Sequence, residues 1–402
     1  MGAFGPERLQ RAVVVGFGAP PVGRYPGSSP TDLALDALAD ALATGSLRPA
    51  DLEGVFTVPE GYARTQPPIR PQRIAERLGI PTRSLAEVEC GGASALLALK
   101  AACQEIELGR LEVAAVLAAQ VERTLLDDGA DAGALDRIVE LNAMYGPYLA
   151  PLGVVAALPC YALAAQRYMY DHGLESEVIA ELPVLLRANA RANPRAELRD
   201  PISVADVLGS RVVSPPIHKL EAAPWSDGAA ALVVCSAEFA RRRGLDGAAL
   251  TGWGERHDDA NFIPLGKDLT RYPWIGAATD EALSNAGRTR DNLDVLEVYG
   301  AFAHAELMTY EAMGLFEPGR AAASVIAGDT ATDGALPINP SGGRLSLGHP
   351  PQATPLLMVG EILEQLRGEC EERQVANAEI GLVQAEHGMM NGATVAILER
   401  VS

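Results

Sequence analysis

Short β-branched runs alternate along the chain with alanine- and leucine-rich stretches of helical period, the pattern of an α/β fold with largely buried sheets. Val13–Val15 reads as a strand. Thr31 and Asp32 stand where a helix cap belongs, before an apolar stripe at Leu35, Leu38, Ala39 and Leu42 that Gly45 closes. Leu52–Val58 returns as a strand. Further on, the helix Ala95–Leu108 leads to the strand Leu111–Gln120, Ala231–Cys235 reads as a buried strand, and the strands Glu379–Ala385 and Thr394–Leu398 follow near the end.

Part of this pattern occurs twice. The stretch from Asp40-Ala41-Leu42 to Asp51-Leu52-Glu53 superposes without a gap on that from Glu281-Ala282-Leu283 to Asn292-Leu293-Asp294, at a constant offset of 241 residues, from 40 to 281. A second echo pairs the helix around Leu96, Leu97 and Ile106 with the one around Leu356, Leu357 and Leu366, each followed by a strand. Internal repetition changes the fold to expect. The chain reads as two α/β halves of one ancestry, residues 1–125 and 247–402. Between them lies an inserted segment of about residues 126–240, or 126–246 with its return strand, which carries Pro224-Trp225-Ser226-Asp227-Gly228-Ala229-Ala230. Long excursions from a rigid scaffold tend to build lids and binding walls.

Composition narrows the function classes. Among 402 residues, 33 Lys and Arg face 52 Asp and Glu, a net charge of −19 that lacks the basic footprint of a nucleic-acid or anionic-membrane binder. The longest nearly apolar run, Leu152–Ala165, is broken by Gly153 and Pro159 and falls short of the ~18 residues of a membrane span. Met1–Gln10 shows neither an export signal nor a myristoylation motif. Cys90, Cys103, Cys160, Cys235 and Cys370 are scattered without a C-x-x-C pair, so neither a disulfide framework nor a thiolate metal site is expected. A reducing, cytoplasmic location is expected instead. Gly16-Phe17-Gly18 resembles the start of a dinucleotide fingerprint, but Pro21 stands where its third glycine belongs.

Four stretches carry candidate chemistry. Cys90, in Val88-Glu89-Cys90-Gly91-Gly92-Ala93-Ser94, immediately precedes a helix whose N-terminus would lower the thiol pKa. It reads either as a nucleophile or as a small cysteine at a packed turn. His349 sits between Gly348 and Pro350 in Asn339-Pro340-Ser341-Gly342-Gly343-Arg344-Leu345-Ser346-Leu347-Gly348-His349-Pro350, a constrained backbone suited to a base or an oxyanion donor. Tyr299, in Leu296-Glu297-Val298-Tyr299-Gly300-Ala301-Phe302-Ala303-His304, and His387, in Gln384-Ala385-Glu386-His387-Gly388-Met389-Met390-Asn391-Gly392-Ala393, lie at strand ends, where open α/β folds bind ligands. Both could equally be satisfied polar residues at loop starts. His172, His218 and His257 share no motif and read as surface residues.

Taken in order, the duplicated halves, the Cys90 turn, Ser226-Asp227-Gly228-Ala229-Ala230 and Gly348-His349-Pro350 resemble the thiolase superfamily in its sterol-carrier-protein type. The resemblance implies a five-layer αβαβα fold, a homodimer, and a loop domain, here residues 126–240, that holds coenzyme A over the active site. It implies that Cys90 takes an acyl group and that His349 activates the thiol and donates to the thioester oxyanion. Two positions depart from the family. Tyr299-Gly300-Ala301-Phe302 stands where a His-Asp-Cys-Phe-like motif is usual, so Ala301 replaces the acid/base sulfur, and His387-Gly388-Met389 stands in place of a Cys-x-Gly motif.

Three readings follow from the resemblance. The first is acyl transfer or thiolysis through acyl-Cys90 on a lipid, steroid or polyketide-like coenzyme A thioester, which is substrate rather than bound cofactor. The second is retro-aldol cleavage of a β-hydroxyacyl-CoA by Tyr299 with His349 or His387, as in lipid-transfer aldolases. The third is a scaffold that binds acyl-CoA for a partner. Such proteins often work with a small OB-fold, zinc-ribbon partner. Ser341, Phe302, Gly348, Gly388 and Met389 are the expected substrate contacts, and Arg191 and Lys219, among the cations Arg187, Arg195, Arg199 and Arg211 of the insertion, the expected phosphate contacts.

Overall fold

The computed structural model describes residues 11–60, 70–127, 157–258, 268–388 and 390–401, with positions 136, 140, 151 and 154. The first half runs β1 (Ala12–Gly18), α1 (Pro30–Thr44), β2 (Gly54–Thr57), α2 (Arg70–Leu78), β3 (Ser84–Glu87), α3 (Ser94–Glu107) and β4 (Val113–Gln120). After Gln120 the chain leaves the sheet through α4 (Glu122–Asp127), α5 (Ala157–His172), α6 (Ser176–Ala190), α7 (Val204–Gly209) and a small hairpin, β5 (Val212–Ser214) and β6 (Ile217–His218). It returns as β7 (Gly228–Ser236) and α8 (Ala237–Arg243). The second half follows as β8 (Gly247–His257), α9 (Pro273–Ala286), β9 (Val295–Val298), α10 (Ala303–Ala312), α11 (Ala321–Ala327), α12 (Gly343–Leu347), α13 (Thr354–Arg367), β10 (Ile380–Glu386) and β11 (Gly392–Val401).

The duplication is written into the strand order. One half is ordered β3-β2-β4-β7-β1, the other β9-β10-β11-β8, and in each a parallel pair, β2 with β4 or β9 with β10, is followed by two antiparallel neighbours that complete the sheet. The halves join where β1 meets β8, at Val13 opposite Ala249 and Val14 opposite Ala248. β2 and β9 begin at Gly54 and Val295, the same 241-residue offset as the sequence repeat.

Packing makes these sheets five layers with the helices. The helices α3 and α13 lie back to back between the sheets, joining Leu96, Leu99 and Ile106 to Leu356, Val359 and Leu363 in one core. A fully buried leucine of this kind contributes roughly 1.5–3 kcal/mol. On one outer face α1 covers Val13, Val15 and Val233. On the other, α9 and α10 share a core with α5 and α6 of the excursion. The outer helices approach the sheets closely. A Cβ on Gly18 would lie 2.2 Å from the Ala37 carbonyl of α1, and one on Gly254 would lie 1.8 Å from the Ala278 carbonyl of α9. The Gly16-Phe17-Gly18 glycines thus serve helix-on-sheet packing, and the repeat has its own counterpart.

Two local expectations are corrected. The cap of α1 is Ser29, whose Oγ accepts the Asp32 N–H, because Pro30 takes the first helical position where its missing N–H costs nothing. The buried face is Leu33, Ala34, Ala37, Leu38, Ala41 and Leu42, which leaves Ala39 in solvent. Among the described residues, no helix is long and apolar enough to cross a membrane.

Candidate active site

Four connections meet around one point: the β3–α3 turn, the β9–α10 junction, the β10–β11 turn and the loop before α13. In the first, the Ser94 hydroxyl donates to the Gly91 carbonyl (2.6 Å) and accepts the Cys90 N–H (2.8 Å), which fixes the turn. Gly92 donates its N–H to the His387 carbonyl at 3.1 Å. Gly91 has φ +53°, and a Cβ there would lie 1.6 Å from the same carbonyl oxygen, so no other residue fits without moving the backbone. Cys90 is half-buried, whereas the other four cysteines are buried, and all five are free. Its thiol is pushed up rather than down, first by burial and then by the Glu255 carboxylate. The expected lowering by the helix N-terminus is therefore outweighed, and the thiol needs a base to react.

Tyr299 follows β9, its N–H held by Gln384 on β10 (3.1 Å to the backbone carbonyl). Its hydroxyl lies 2.6 Å from Nε2 of His349, with the rings edge-on at 5.3 Å. The same oxygen is 3.2 Å from where a Gly92 Cβ would project. The phenol thus stands between the imidazole and the Cys90 turn. Although His349 keeps some open surface, the surrounding protein lowers its pKa to about 3, and the nearby Arg344 charge adds to the effect. The ring is neutral at any physiological pH.

The backbone of His349 is braced by the excursion. Its N–H donates to Ser226 Oγ and its carbonyl accepts the Ser226 N–H, both at 3.1 Å, while the Ser226 hydroxyl donates to Glu197. Gly348, at φ +104°, leaves room for Val22 and Ser226. Asp227 accepts the N–H groups of Arg123 (2.7 Å) and Thr124 (3.1 Å), tying the start of the excursion to its end.

A buried polar layer that the sequence reading missed supports this loop. Asn339, at φ +54°, pairs with both backbone groups of Val298 and donates to Glu306 at 2.6 Å. Arg344 and Glu297 form an ion pair at 3.4 Å with both side chains fully buried. Burial raises the Glu306 pKa to about 7. Ser341, expected at the substrate, donates its buried hydroxyl to Glu297 at 2.8 Å. The signal was Arg344, the one Lys, Arg, Asp or Glu in the glycine-rich run 339–350, since a buried arginine requires a carboxylate.

The remaining candidates are distributed around this centre. His387 touches the Cys90 turn through its carbonyl, whereas its ring nitrogens face His257 Nδ1 (3.0 Å) and Thr394 Oγ1 (2.9 Å). His257 is exposed, as the sequence suggests, but it is not alone: its ring contacts that of His387. Phe302 caps α10, with its ring 4.6 Å from that of Tyr161, and Ala301 accepts the Ala223 N–H through its carbonyl. Tyr161 donates to Glu386 at 2.8 Å, and burial raises that carboxyl to about 7. Gly388 closes the turn by accepting the Asn391 N–H, and Met389 lies outside the described residues. Arg191 and Lys219 are exposed on the excursion; Arg187 is buried against Ser346, and Arg195 makes a two-pronged pair with Glu364.

Comparison with known proteins identifies the family. Residues 254–400 match the family described as thiolase C-terminal domain-like. The chain is 30% identical over 395 residues, 98% of its length and 100% of the other, to an acetyl-CoA acetyltransferase of Methanothermobacter thermautotrophicus. It is 32% identical over 251 residues to sterol carrier protein 2 of Rattus norvegicus, covering 60% of this chain and 44% of that one. The solved structure of the Ltp2-ChsH2(DUF35) aldolase superposes with a TM-score of 0.82 at 26% identity, covering 97% of each chain. The fold and the site define an enzyme of the thiolase type. The chain belongs to the thiolase superfamily.

Proposed function

We propose that this enzyme transfers the acyl group of a coenzyme A thioester through Cys90. The observation that carries the reading is the 2.6 Å contact between Tyr299 and His349 beside the Gly92 backbone, on the turn that bears the half-buried thiol. The thiol is held protonated and His349 is held neutral, so neither forms an ion in advance. As sulfur attacks the thioester carbonyl, its proton passes to the phenol oxygen while the phenol proton passes to Nε2 of His349. The carbon–sulfur bond to coenzyme A then breaks, and the departing thiolate takes the proton back along the same path. Positioned proton transfer of this kind is worth roughly 10²–10⁴ in rate. Exposed Arg191 and Lys219, on the region 126–246 read as the covering domain, supply positive charge for the coenzyme A phosphates. A homodimer, a cytoplasmic location and a small acyl-CoA-binding partner of the DUF35 kind complete the reading.

A second reading has its own observation. Ala301 offers no sulfur to move an α-proton, and the aldolase structure noted above shares this fold over 97% of the matched chain. In retro-aldol cleavage the Tyr299–His349 pair takes the hydroxyl proton of a β-hydroxyacyl-CoA, the Cα–Cβ bond breaks, and the thioester enolate is protonated. One experiment separates the two. Incubation with acyl-CoA followed by intact-mass measurement should give an acyl adduct that Cys90→Ser abolishes along with turnover. If Cys90→Ser keeps full activity and Tyr299→Phe removes it, acyl transfer through the cysteine is rejected in favour of cleavage.

A further inference from the structure

His257 lies at the exposed end of β8, outside the machinery described so far. Across the β8–β11 ladder, His257 faces Gly392 and Glu255 faces Thr394. His387 closes the neighbouring turn by donating its N–H to the Gly392 carbonyl at 3.0 Å, and its ring folds back over that glycine. A Cβ at position 392 would lie 2.5 Å from Nδ1 of His387 and 2.7 Å from Nδ1 of His257, so glycine there is what lets the two rings meet. They meet at 3.0 Å between the Nδ1 atoms, with ring planes 18° apart. Such a contact requires one proton and one lone pair, so the two Nδ1 atoms share a single proton. Thr394 holds the other side of the His387 ring. The charged groups packed nearby, Glu255 and Lys100, are bound to each other at 2.7 Å.

We infer that His257 is a positioning residue for Cys90: it locks the His387 ring, and the carbonyl of His387 in turn holds the Gly91–Gly92 backbone of the cysteine turn. The inference rests on the reading of Cys90 as the reacting group. A side chain that merely fills surface would leave the chemistry alone. One that sets the turn changes kcat and the accessibility of the thiol, and leaves KM in place.

The test is His257→Ala in the full-length protein, with His257→Gln as the conservative variant whose amide N–H still reaches the His387 ring. His257→Ala should lower kcat roughly three- to tenfold, the worth of one hydrogen bond, with KM unchanged. Alkylation of native Cys90 by iodoacetamide, followed by intact mass, should quicken by a similar factor, and His257→Gln should restore both. Wild-type kcat and alkylation rate in His257→Ala overturn the inference. Should that variant unfold, long-range ¹H–¹⁵N spectra of the wild-type imidazoles decide. One protonated and one bare Nδ1 supports the pairing, and two bare Nδ1 atoms overturn it. Full activity in Cys90→Ser would remove the acyl-cysteine reading instead, while the alkylation rates and the spectra would still report on the lock.

Discussion

The turn that opens α3 and the loop that opens α13 hold equivalent places in the two halves, yet they are secured by different physics. The first is short, and it is held by backbone: Gly92 donates to the His387 carbonyl, and Ser94 closes the turn on itself. The second is long, and it is held by buried charge and amide groups: Arg344 on Glu297, Asn339 on Glu306. A duplicated scaffold has thus placed its thiol on a turn held by backbone contacts and its imidazole on a loop held by buried charge. Damage to the first should cost activity, and damage to the second should cost the fold.

The largest effect belongs to the second loop. Arg344→Met strands Glu297 as an unpaired carboxylate with no exposed surface, and breaking a buried pair from one side costs about 3–5 kcal/mol. Urea unfolding should show that loss, whereas Cys90→Ser should stay within about 0.5 kcal/mol of wild type. The double variant Arg344→Met with Glu297→Leu removes both charges, and much of the stability should return. An Arg344→Met midpoint equal to wild type would erase the contrast between the loops.

The next effect tests the first turn. Gly91→Ala combines a left-handed backbone with a carbonyl 1.6 Å from the new methyl. Gly109, at φ +69° after α3, has nothing within 4 Å, so alanine there meets backbone strain alone. Both should lose on the order of 1–2 kcal/mol of stability from the conformation itself. Only Gly91→Ala should also lower kcat, because its methyl must push the His387 carbonyl off the cysteine turn. Equal kcat in the two variants would mean that the turn's position does not matter to the chemistry.

What the sequence disclosed divides along the same line. Local signals were readable: the 241-residue repeat foretold β2 and β9, and the glycines around Cys90 and His349 marked both loops. Effects that require distant strands were not. The direction of the Cys90 shift depends on burial and on Glu255, which is 165 positions away in the chain and arrives through β8. Glu297 reads as one polar residue in an apolar strand until Arg344 is placed beneath it. His257 reads as a surface histidine because nothing near it in sequence shows that β11 brings Gly392 opposite and leaves space for a second ring. Even the cap of α1 was misjudged by two residues, since Ser29-Pro30 competes with Thr31-Asp32 as a start signal.

The smallest effect is a pH profile of stability, and it too comes from the second half. Burial lowers His349 and His304 to about 3 and His387 to about 4, below the ~6.5 of an unfolded histidine. The unfolded chain therefore binds protons first, so these groups withdraw stability as pH falls below about 6.5. Burial raises Glu306 and Glu386 to about 7, above the ~4.3 of an unfolded glutamate, so there the folded chain binds protons more tightly and stability declines as pH rises from about 4.3 through 7. Opposed slopes place the maximum between about pH 5 and 6.5, with at most about 1.4 kcal/mol per group per pH unit on either side. Urea midpoints at pH 4.5, 6 and 8 should be highest at the middle value. Glu386→Gln removes one titrating carboxyl while keeping an acceptor for Tyr161, and should flatten the alkaline side alone. A midpoint that climbs steadily to pH 8 would mean that these carboxyls are ionised in the folded protein, and that the second loop is held by more charge than Arg344 alone answers.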